Sequence, residues 1–323
     1  MLPTTDATDR RLLWGLAYRM TGSAADADDV VQETLARLLE HPPPRTSEPL
    51  RPWLVRVAMN VARDVLRRRK RRSYTGPWLP SPLDSDEENQ EASTALAADA
   101  RYEQRESASY AFLAALEALT AQQRAVLMLR DVLDYSVLET ADALGLSEGN
   151  VKTTHHRARR AMAAYDASRR PAPSDLATDT RAALERFLGA ILAEDPAAAE
   201  ACLADGVRLL SDGGGQFHAA LRPVVGRDRV TRFFLGLARK NGAIGRFEVR
   251  ALNGLPAVVA EYDAVPDGWG KRFVMRCDVD REGRIREVHV VVASAKLTRV
   301  AAVGDADGSK QMTMESAAHG LSN

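Results

Sequence analysis

The sequence predicts a multidomain fold in which two all-α domains are followed by an α+β domain. Apolar residues recur at helical spacing over most of residues 10–168, whereas four short segments rich in β-branched residues lie between residues 247 and 292. Proline-rich runs at residues 76–82 and 171–174 separate these parts. The chain of 323 residues is also longer than one typical domain.

The chain carries 44 basic and 44 acidic residues, but the two signs are sorted by segment. Bases occupy residues 67–72 without interruption, and acids collect at residues 84–91. A concentrated basic segment is typical of nucleic-acid binding, even in a chain without net charge. Cys202 and Cys277 are far apart and lack metal-ligand spacing, so we predict no disulfide, metal or cofactor. The sequence also lacks a spanning apolar run and a signal-peptide layout, which predicts a cytoplasmic protein with no membrane partner.

Residues 10–40 are predicted to form two helices separated at Thr21-Gly22-Ser23. Ser23 can cap the second helix, and acidic residues in its first turn suit the helix dipole. The predicted inward positions of this helix are Val31, Leu35 and Leu38. Its opposite face is polar, which by itself indicates only a solvated surface.

A third helix is predicted to begin at Pro52, after the proline run that starts at Pro42. Its apolar face contains Leu54, Val57, Ala58, Val61 and Val65. The polar stripe on the opposite face contains Arg56, Asn60, Arg63 and Arg67, and it continues into the basic run. This stripe has the charge to follow a phosphate backbone, with a plain solvated surface as the alternative.

Residues 136–162 predict a helix-turn-helix. The first helix ends at the turn residue Gly145, and Ser147 can cap the second helix. The inward positions of the second helix are Val151, His155, Ala158 and Met162, and its outward positions include Lys152, Thr153, His156 and Arg160. Such a basic face suits the DNA major groove, although two surface helices of an ordinary bundle would give a similar pattern.

Residues 74–107 are predicted to be a linker, because a proline-rich run precedes an acidic, alanine-rich stretch. Trp78 and Leu79 are unusual residues for a free tether. An exposed aromatic side chain between prolines gains little unless it docks on a neighbouring surface.

The α+β domain is predicted at residues 175–298. Apolar positions from Leu184 to Ile191 and from Val230 to Leu237 indicate amphipathic helices, and Asp195-Pro196 indicates the start of a shorter one. Antiparallel strands are predicted at residues 247–252, 257–263, 272–279 and 285–292. Residues 299–323, rich in Gly, Ser, Asp and Ala, are predicted to be a disordered tail.

Two sets of motifs in the helical part resemble one protein family. The segments Asp26–Leu35 and Trp53–Arg67 resemble region 2 of bacterial sigma factors. The segment Leu119–Leu127, together with Leu144–Ser147 and His156–Arg159, resembles region 4. Both sets, in this order and with only a short connection between them, resemble the extracytoplasmic-function (ECF) group.

The resemblance implies a helical-bundle region 2 domain at residues 8–73 and a region 4 helix-turn-helix domain at residues 108–168. In the family, an acidic face of region 2 binds core RNA polymerase, and the implied residues are Asp26, Asp29, Gln32 and Glu33. The next helix meets the minus-ten promoter element, which implies Arg56, Asn60, Arg63, Arg67 and Arg68. The second region 4 helix enters the major groove of the minus-thirty-five element, which implies Glu148, Asn150, Lys152, Thr153, His156, Arg157 and Arg160. Leu138 and Thr140 depart from the family pattern, which usually has Glu and Ile there.

The order of helices and strands in the C-terminal part resembles the cone-shaped SnoaL-like members of the nuclear-transport-factor-two (NTF2-like) superfamily. One group of these sigma factors carries such a domain and has three short motifs to which interdomain control is attributed. The first two motifs imply regulatory residues at Trp78, Leu79, Pro80, Asp212, Gly213, Gly214 and Gly215. Ser81 and Gln216 replace the usual Glu and basic residue, and only Lys296-Leu297 remains of the third motif. Consecutive glycines independently indicate positive φ angles or close approach of another surface, with a tight hairpin that has no partner as the alternative.

We therefore predict a sigma factor without catalytic activity, regulated in cis by its C-terminal domain, whose partners are core RNA polymerase and promoter DNA. A small ligand of the C-terminal domain is a further candidate partner. One alternative is a one-component helix-turn-helix regulator with a ligand-binding domain. Another is a SnoaL-like cyclase or isomerase, whose acid–base candidates are Asp212, His218, Asp263 and His289.

Overall fold

The computed structural model describes residues 7–43, 50–71, 74–85, 109–168, 173–241 and 244–304. They fall into two compact units. The helical unit combines Met1–Ser73 with Asp86–Arg169, and the C-terminal unit combines Tyr74–Ser85 with Arg170–Asn323. The predicted linker is therefore divided, because its first part packs with the C-terminal domain. We call Tyr74–Ser85 the docked segment; residues 86–108 lie outside the described part of the chain.

The helical unit contains the helices expected for both of its parts. Its first part consists of α1 (Ala7–Thr21), α2 (Ala24–Glu40) and α3 (Leu50–Arg71). Its second part contains α4 (Tyr110–Ala115), α5 (Ala121–Leu127), α6 (Val137–Leu144), α7 (Glu148–Ala161) and α8 (Ala163–Ser168). A 3-10 turn at Leu116–Ala118 precedes α5, and a π-helical turn at Met128–Val132 follows it.

Short polar residues begin three of these helices, and the caps at Ser23 and Ser147 are the predicted ones. The Ser23 hydroxyl accepts a hydrogen bond from the Asp26 amide at the start of α2, and Ser147 caps α7 in the same way. Ser136 and Glu139 form a capping box at the start of α6. Gly145, with φ of 64°, ends α6 in the left-handed conformation. These local signals define both helices of the helix-turn-helix.

The buried stripe of α2 differs from the predicted one. Val30 and Thr34 are buried, whereas Val31 and Leu35 are only half-buried; Leu38 is buried as predicted. The stripe is rotated because α2 packs against both α1 and α3. Thr34 is tolerated inside because its hydroxyl donates to the Val30 carbonyl oxygen at 2.7 Å.

The C-terminal unit contains a sheet with the strand order β2-β1-β6-β5-β4-β3. Its helices are α9 (Pro173–Leu192), α10 (Pro196–Ala201) and α11 (Arg227–Asn241). Its strands are β1 (Leu203–Asp212), β2 (Val224–Val225), β3 (Ile244–Leu252), β4 (Leu255–Tyr262), β5 (Arg272–Val279) and β6 (Ile285–Val291). Helical parts followed by an α+β domain confirm the predicted fold class.

The four predicted strands correspond to β3–β6 and are antiparallel, as expected. Strand β1 was not predicted, and it pairs parallel with β6. It contains Asp205 and Gly206, residue types that are depleted in strands. Pairing with a strand far along the chain outweighs this weak local propensity.

The core of the C-terminal unit lies between the sheet and its helices and includes Phe187, Val230 and Met275. Val300 and Val303 are also buried, so the predicted start of the tail at residue 299 is wrong. The packed chain continues to residue 304, and residues 305–323 lie outside the described part. Burial raises the pKa of the Cys277 thiol to about 12, which keeps it protonated.

Candidate functional site

The outward face of α7 is exposed, as the helix-turn-helix prediction requires. Val151, Thr154 and Ala158 are buried beneath the helix. All of the predicted minus-thirty-five residues are exposed: Glu148, Asn150, Lys152, Thr153, His156, Arg157 and Arg160. The exposed face of α7 therefore presents four basic or histidine side chains and several hydrogen-bonding groups, which suit a DNA major groove.

A buried carboxylate holds α7 in place from below. Asp131, 1% exposed, accepts hydrogen bonds from His155 Nε2 at 2.9 Å and from Arg159 Nη2 at 2.6 Å. Burial alone would raise the pKa of Asp131, but the hydrogen bonds and charges of His155 and Arg159 outweigh it and lower the pKa. His155 therefore packs inward, as predicted. Asp131 was missed because nothing in its local pattern marks a carboxylate that pairs 24 residues later.

The predicted minus-ten stripe of α3 is only partly exposed in this arrangement. Arg56, Arg67 and Arg68 are exposed, whereas Arg63 is 8% exposed. Asn60 Nδ2 donates to the Ala143 carbonyl oxygen at 3.1 Å, and Arg63 Nη1 donates to that of Leu144 at 3.1 Å. These carbonyls lie at the C-terminal end of α6, where helix carbonyls lack intrahelical partners and favour positive charge. Burial and the nearby Arg67 charge lower the pKa of Arg63.

Arg124 makes a second contact between the two parts of the helical unit. Its side chain is 2% exposed and donates to the carbonyl oxygens of Met20 at 2.9 Å and Leu116 at 2.7 Å. It also pairs with Glu117, which accepts a further bond from Arg69. Burial lowers the pKa of Arg124, and the Glu117 carboxylate partly offsets this effect. The predictions did not include Arg124, because a charged residue between apolar helical positions normally indicates a solvated face.

The predicted polymerase-binding face of α2 is accessible at three positions. Asp29, Gln32 and Glu33 are exposed. Asp26 is half-buried, and one of its carboxylate oxygens lies 4.0 Å from Arg69 Nη1.

In the C-terminal unit, Asp212 binds the docked segment. This fully buried carboxylate accepts from the Leu79 amide at 2.7 Å and from the Tyr74 hydroxyl at 2.5 Å. Lys296 Nζ lies 2.6 Å from Asp212 and also donates to the Leu79 carbonyl oxygen at 2.5 Å. The Lys296 ammonium lies 3.9 Å from the centre of the Trp78 ring. These residues, Tyr74, Trp78, Leu79, Asp212 and Lys296, form what we call the Asp212 cluster.

The remainder of the docked segment is held by the turn between β3 and β4. The Leu83 amide donates to Asn253 Oδ1 at 3.0 Å, and the Asn253 amide donates to the Leu83 carbonyl oxygen at 2.9 Å. Asp84 forms an ion pair with Arg250 at 3.0 Å. Leu79, Pro80 and Leu83 are buried, so the prediction that Trp78 and Leu79 need a docking surface is met within this unit.

The glycines after Asp212 are needed for close approach as well as for turning. A Cβ atom on Gly213 would lie 2.3 Å from the Phe217 carbonyl oxygen. Gly214 has φ of 63° and would place a Cβ 2.9 Å from that of Ala293. Gln216 occupies the position of the usual basic residue of the second motif, and it accepts a hydrogen bond from Ser294 at 3.3 Å. Positive φ angles and close approach of other segments therefore explain these glycines, whereas a hairpin without a partner does not.

A cavity of about 460 Å³ lies between the sheet and the helices α9 and α11. Most of its wall is aliphatic or aromatic, with contributions from Phe187, Ile191, Phe233, Leu237, Phe273 and Val292. Polar groups are few and include Ser211, His218, Tyr262 and Trp269. The volume lies within the roughly 300–1,000 Å³ range of small-molecule sites.

The four acid–base candidates do not converge on this cavity. Among them, His218 lines the cavity, where its ring lies 5.2 Å from that of Trp269. Asp212 is occupied in the Asp212 cluster, and His289 Nε2 lies 3.5 Å from Glu287. Asp263 is exposed.

In the described part of the chain, no group of three or more His, Cys, Asp or Glu residues is placed to hold a metal ion. Nor does any described helix have the length and apolar character needed to cross a membrane.

Comparison with known proteins identifies the two helical parts. Family models match residues 7–72 (Sigma-70 region 2) and residues 109–162 (Sigma-70, region 4). The ECF RNA polymerase sigma factor SigJ of Mycobacterium tuberculosis is 33% identical over 249 residues, which cover 76% of each chain. SigG of the same species is 43% identical over 164 residues, which cover 46% of this chain and 44% of the relative.

The similarity extends to three-dimensional structure. The crystal structure of Mycobacterium tuberculosis SigJ matches with a TM-score of 0.66 and 27% identity, covering 90% of this chain and 96% of that chain. The match therefore includes the C-terminal domain as well as both helical parts. Together, the two matched regions and the similarity to SigJ over most of both chains show that this chain belongs to the ECF family of RNA polymerase sigma factors.

Proposed function

We propose that this sigma factor directs promoter-specific initiation in the cytoplasm by joining core RNA polymerase through the α2 face and promoter DNA through α3 and α7. The observation that carries the proposal is the exposed basic face of α7, placed on a capped helix-turn-helix and preceded by a region 2 match. Asp29, Gln32 and Glu33 supply an exposed polar face for the polymerase. The protein contributes specificity, and the polymerase performs the chemistry.

Promoter binding requires the two parts of the helical unit to separate. Asn60 and Arg63 are engaged by the C-terminal end of α6, so a DNA strand reaches them only after α6 has moved. We call the arrangement in which α6 covers Asn60 and Arg63 the closed form. It is therefore the form of the free protein, and holoenzyme formation supplies the free energy that opens it.

The proposal is tested by transcription with purified full-length chain, bacterial core RNA polymerase and a library of genomic fragments. Transcripts from a defined set of promoters are expected only when the chain is present. Transcription that never depends on the chain, together with no binding to core polymerase, refutes the proposal. Tight operator binding in the absence of polymerase would instead indicate a one-component regulator.

Replacing both Lys152 and Arg160 by alanine is expected to weaken promoter binding at every salt concentration. Each lost phosphate contact lowers the slope of log affinity against log salt by about 0.9, so the double variant loses about 1.8. The slope is measured with reconstituted holoenzyme on a promoter fragment obtained from the library. Lys271→Ala with Arg281→Ala removes two exposed cations of the C-terminal unit and provides the matched control. An unchanged slope in the α7 variant contradicts the assignment of its outward face.

The C-terminal domain regulates the sigma factor in cis. The support for this role is that the docked segment belongs to the connection between α3 and α4, yet is held by Asp212, Lys296 and Asn253. Holding part of this connection shortens the chain available when the two parts of the helical unit separate. Deletion of all residues after Arg170 is therefore expected to change promoter-dependent transcription. Equal activity of the full and truncated chains under all conditions would leave the domain without this role.

The cavity of the C-terminal domain is the candidate site for a regulatory small ligand. Ser211 lines the cavity, and the next residue in β1, Asp212, binds the docked segment. His218–Ala220 also line the cavity and follow Asp212 and its three glycines in sequence. A ligand in the cavity would therefore contact the same chain segment that carries this carboxylate.

A further inference from the structure

The side chains that line the cavity do not fill it. Phe233, Phe234, Leu237 and Phe273 all line the cavity and remain only half-buried, although they lie against a core of fully buried residues. Protein interiors normally fill such space, because voids forfeit dispersion contacts and expose apolar surface. The half-buried aromatic side chains are thus positioned to contact a molecule that enters between α9, α11 and the sheet.

The charges around the cavity restrict the class of molecule. Glu194 is the acidic side chain of the lining, and Arg239 already pairs with it at 2.9 Å. Lys240 lies over the Trp269 ring, with Nζ 5.5 Å from the ring centre. No lysine or arginine lines the cavity within the described residues. An anion would lose its hydration without gaining a cation inside, and burying an unpaired charge is costly.

The polar groups of the wall can satisfy only a few hydrogen bonds. Ser211 and Tyr262 are buried lining residues with hydroxyl groups, whereas His218 and Trp269 lie at a more exposed part of the wall. Hydroxyl, indole and imidazole groups suit neutral oxygen or nitrogen atoms of a ligand. A mostly apolar wall with a small number of such groups is typical of sites for small organic molecules.

We propose that this cavity binds an uncharged, largely apolar small molecule with few hydrogen-bonding groups. The inference deepens the proposed ligand role of the C-terminal domain and rests on it. The aromatic side chains of α11 and β5 provide most of the contact surface, and Ser211 and Tyr262 orient the few polar atoms of the ligand.

The test uses two fluorescent probes that differ by one sulfonate group, which is negatively charged. N-phenyl-1-naphthylamine is neutral, and 1-anilinonaphthalene-8-sulfonate carries the same ring system with an added sulfonate. Both are titrated against the full-length chain. The neutral probe is expected to bind about tenfold or more tightly than the anion, because the sulfonate finds no cation in the cavity.

The location of the probe is tested by filling the cavity. Leu237→Trp is expected to weaken binding of the neutral probe by about tenfold, because an indole occupies the space of the ligand. Arg232→Trp, on the same helix but exposed, introduces the same side chain outside the cavity and is expected to leave binding unchanged. Ala219→Trp at the cavity wall is a second blocking variant, and circular dichroism confirms that each variant is folded.

The outcomes separate the class of ligand from the function of the protein. Equal or tighter binding of the sulfonate overturns the uncharged class but leaves a ligand site. Failure of both probes to bind, or binding that survives both blocking variants, overturns the site itself. Neither result affects the transcription assay with core polymerase, which tests the sigma-factor role independently.

Discussion

Replacing Lys296 by methionine is expected to release the docked segment. Lys296 compensates the fully buried Asp212 carboxylate at 2.6 Å, and methionine keeps a similar length without the charge. Removing one partner of a buried ion pair costs about 3–5 kcal/mol, because the other charge remains in a poorly solvated place. The remaining donors to the Asp212 carboxylate, from Tyr74, Leu79 and Gly214, are neutral and do not replace an ammonium group.

Hydrogen exchange of the docked segment measures this effect. The Leu79 and Leu83 amides are both hydrogen-bonded in the docked state, to Asp212 and Asn253. A loss of about 3 kcal/mol corresponds to roughly 100-fold faster exchange if the amides exchange through undocking. Lys271→Met removes an exposed lysine from the same unit and is the matched control, with unchanged exchange expected.

A double variant identifies the physical cause. Asp212→Asn combined with Lys296→Met removes both charges and leaves an amide oxygen that can still accept from the Leu79 amide. Amide exchange in this double variant is expected to be slower than in the single Lys296 variant and closer to that of the unmodified chain, since no uncompensated charge remains. Exchange in the Lys296 variant equal to that of the unmodified chain would show that the Asp212 cluster does not hold the segment.

Local features of the fold could be predicted from the sequence because their determinants are close together along the chain. Ser23, Ser136 and Ser147 begin helices, and each cap depends on residues only three positions away. The outward face of α7 follows from helical periodicity alone, which also placed His155 inside.

Long-range pairing could not be predicted in the same way. Strand β1 depends on a parallel partner, β6, from which one helix and four strands separate it along the chain. Asp212 and Lys296 are 84 residues apart, and no spacing rule connects them. The family resemblance pointed to Asp212 through its glycines, yet left Lys296 as the remnant of an incomplete motif. Buried charged side chains in particular look solvated in a sequence, because their partners are known only from the fold.

The same limit applies to the closed helical unit. The stripe of Arg56, Asn60, Arg63 and Arg67 was predicted from periodicity as one continuous face. The structure divides it, because α6 directs free carbonyl groups at Asn60 and Arg63. A stripe suited to phosphate groups is also suited to the C-terminal end of a helix, since both present partial or full negative charge. The sequence therefore indicates what the stripe can bind, but not which partner occupies it in the free protein.

Replacing Arg124 by methionine is expected to open the helical unit without altering any predicted DNA contact. The substitution leaves the buried Met20 carbonyl oxygen, which lies in the other part of the unit, without the donor it has at 2.9 Å, whereas the Leu116 carbonyl oxygen keeps the Leu119 amide. An unsatisfied buried acceptor costs about 1–3 kcal/mol, so a loss of about 2 kcal/mol would shift the ratio of closed to open forms roughly 30-fold. Asn60 and Arg63 would then become accessible more often.

Distance measurements between spin labels detect this opening directly. Cysteines introduced at Gln32 in α2 and His156 in α7 occupy exposed positions, whereas the native Cys202 and Cys277 are buried. The Arg124 variant is expected to populate longer distances than the labelled parent. Arg37→Met removes an arginine with a half-exposed side chain whose pair with Glu33 is worth at most about 1 kcal/mol, so the distances in this variant should match those of the parent. Coincident distance distributions for the Arg124 variant and the parent would mean that Arg124 stabilises each part internally and does not hold the two parts together.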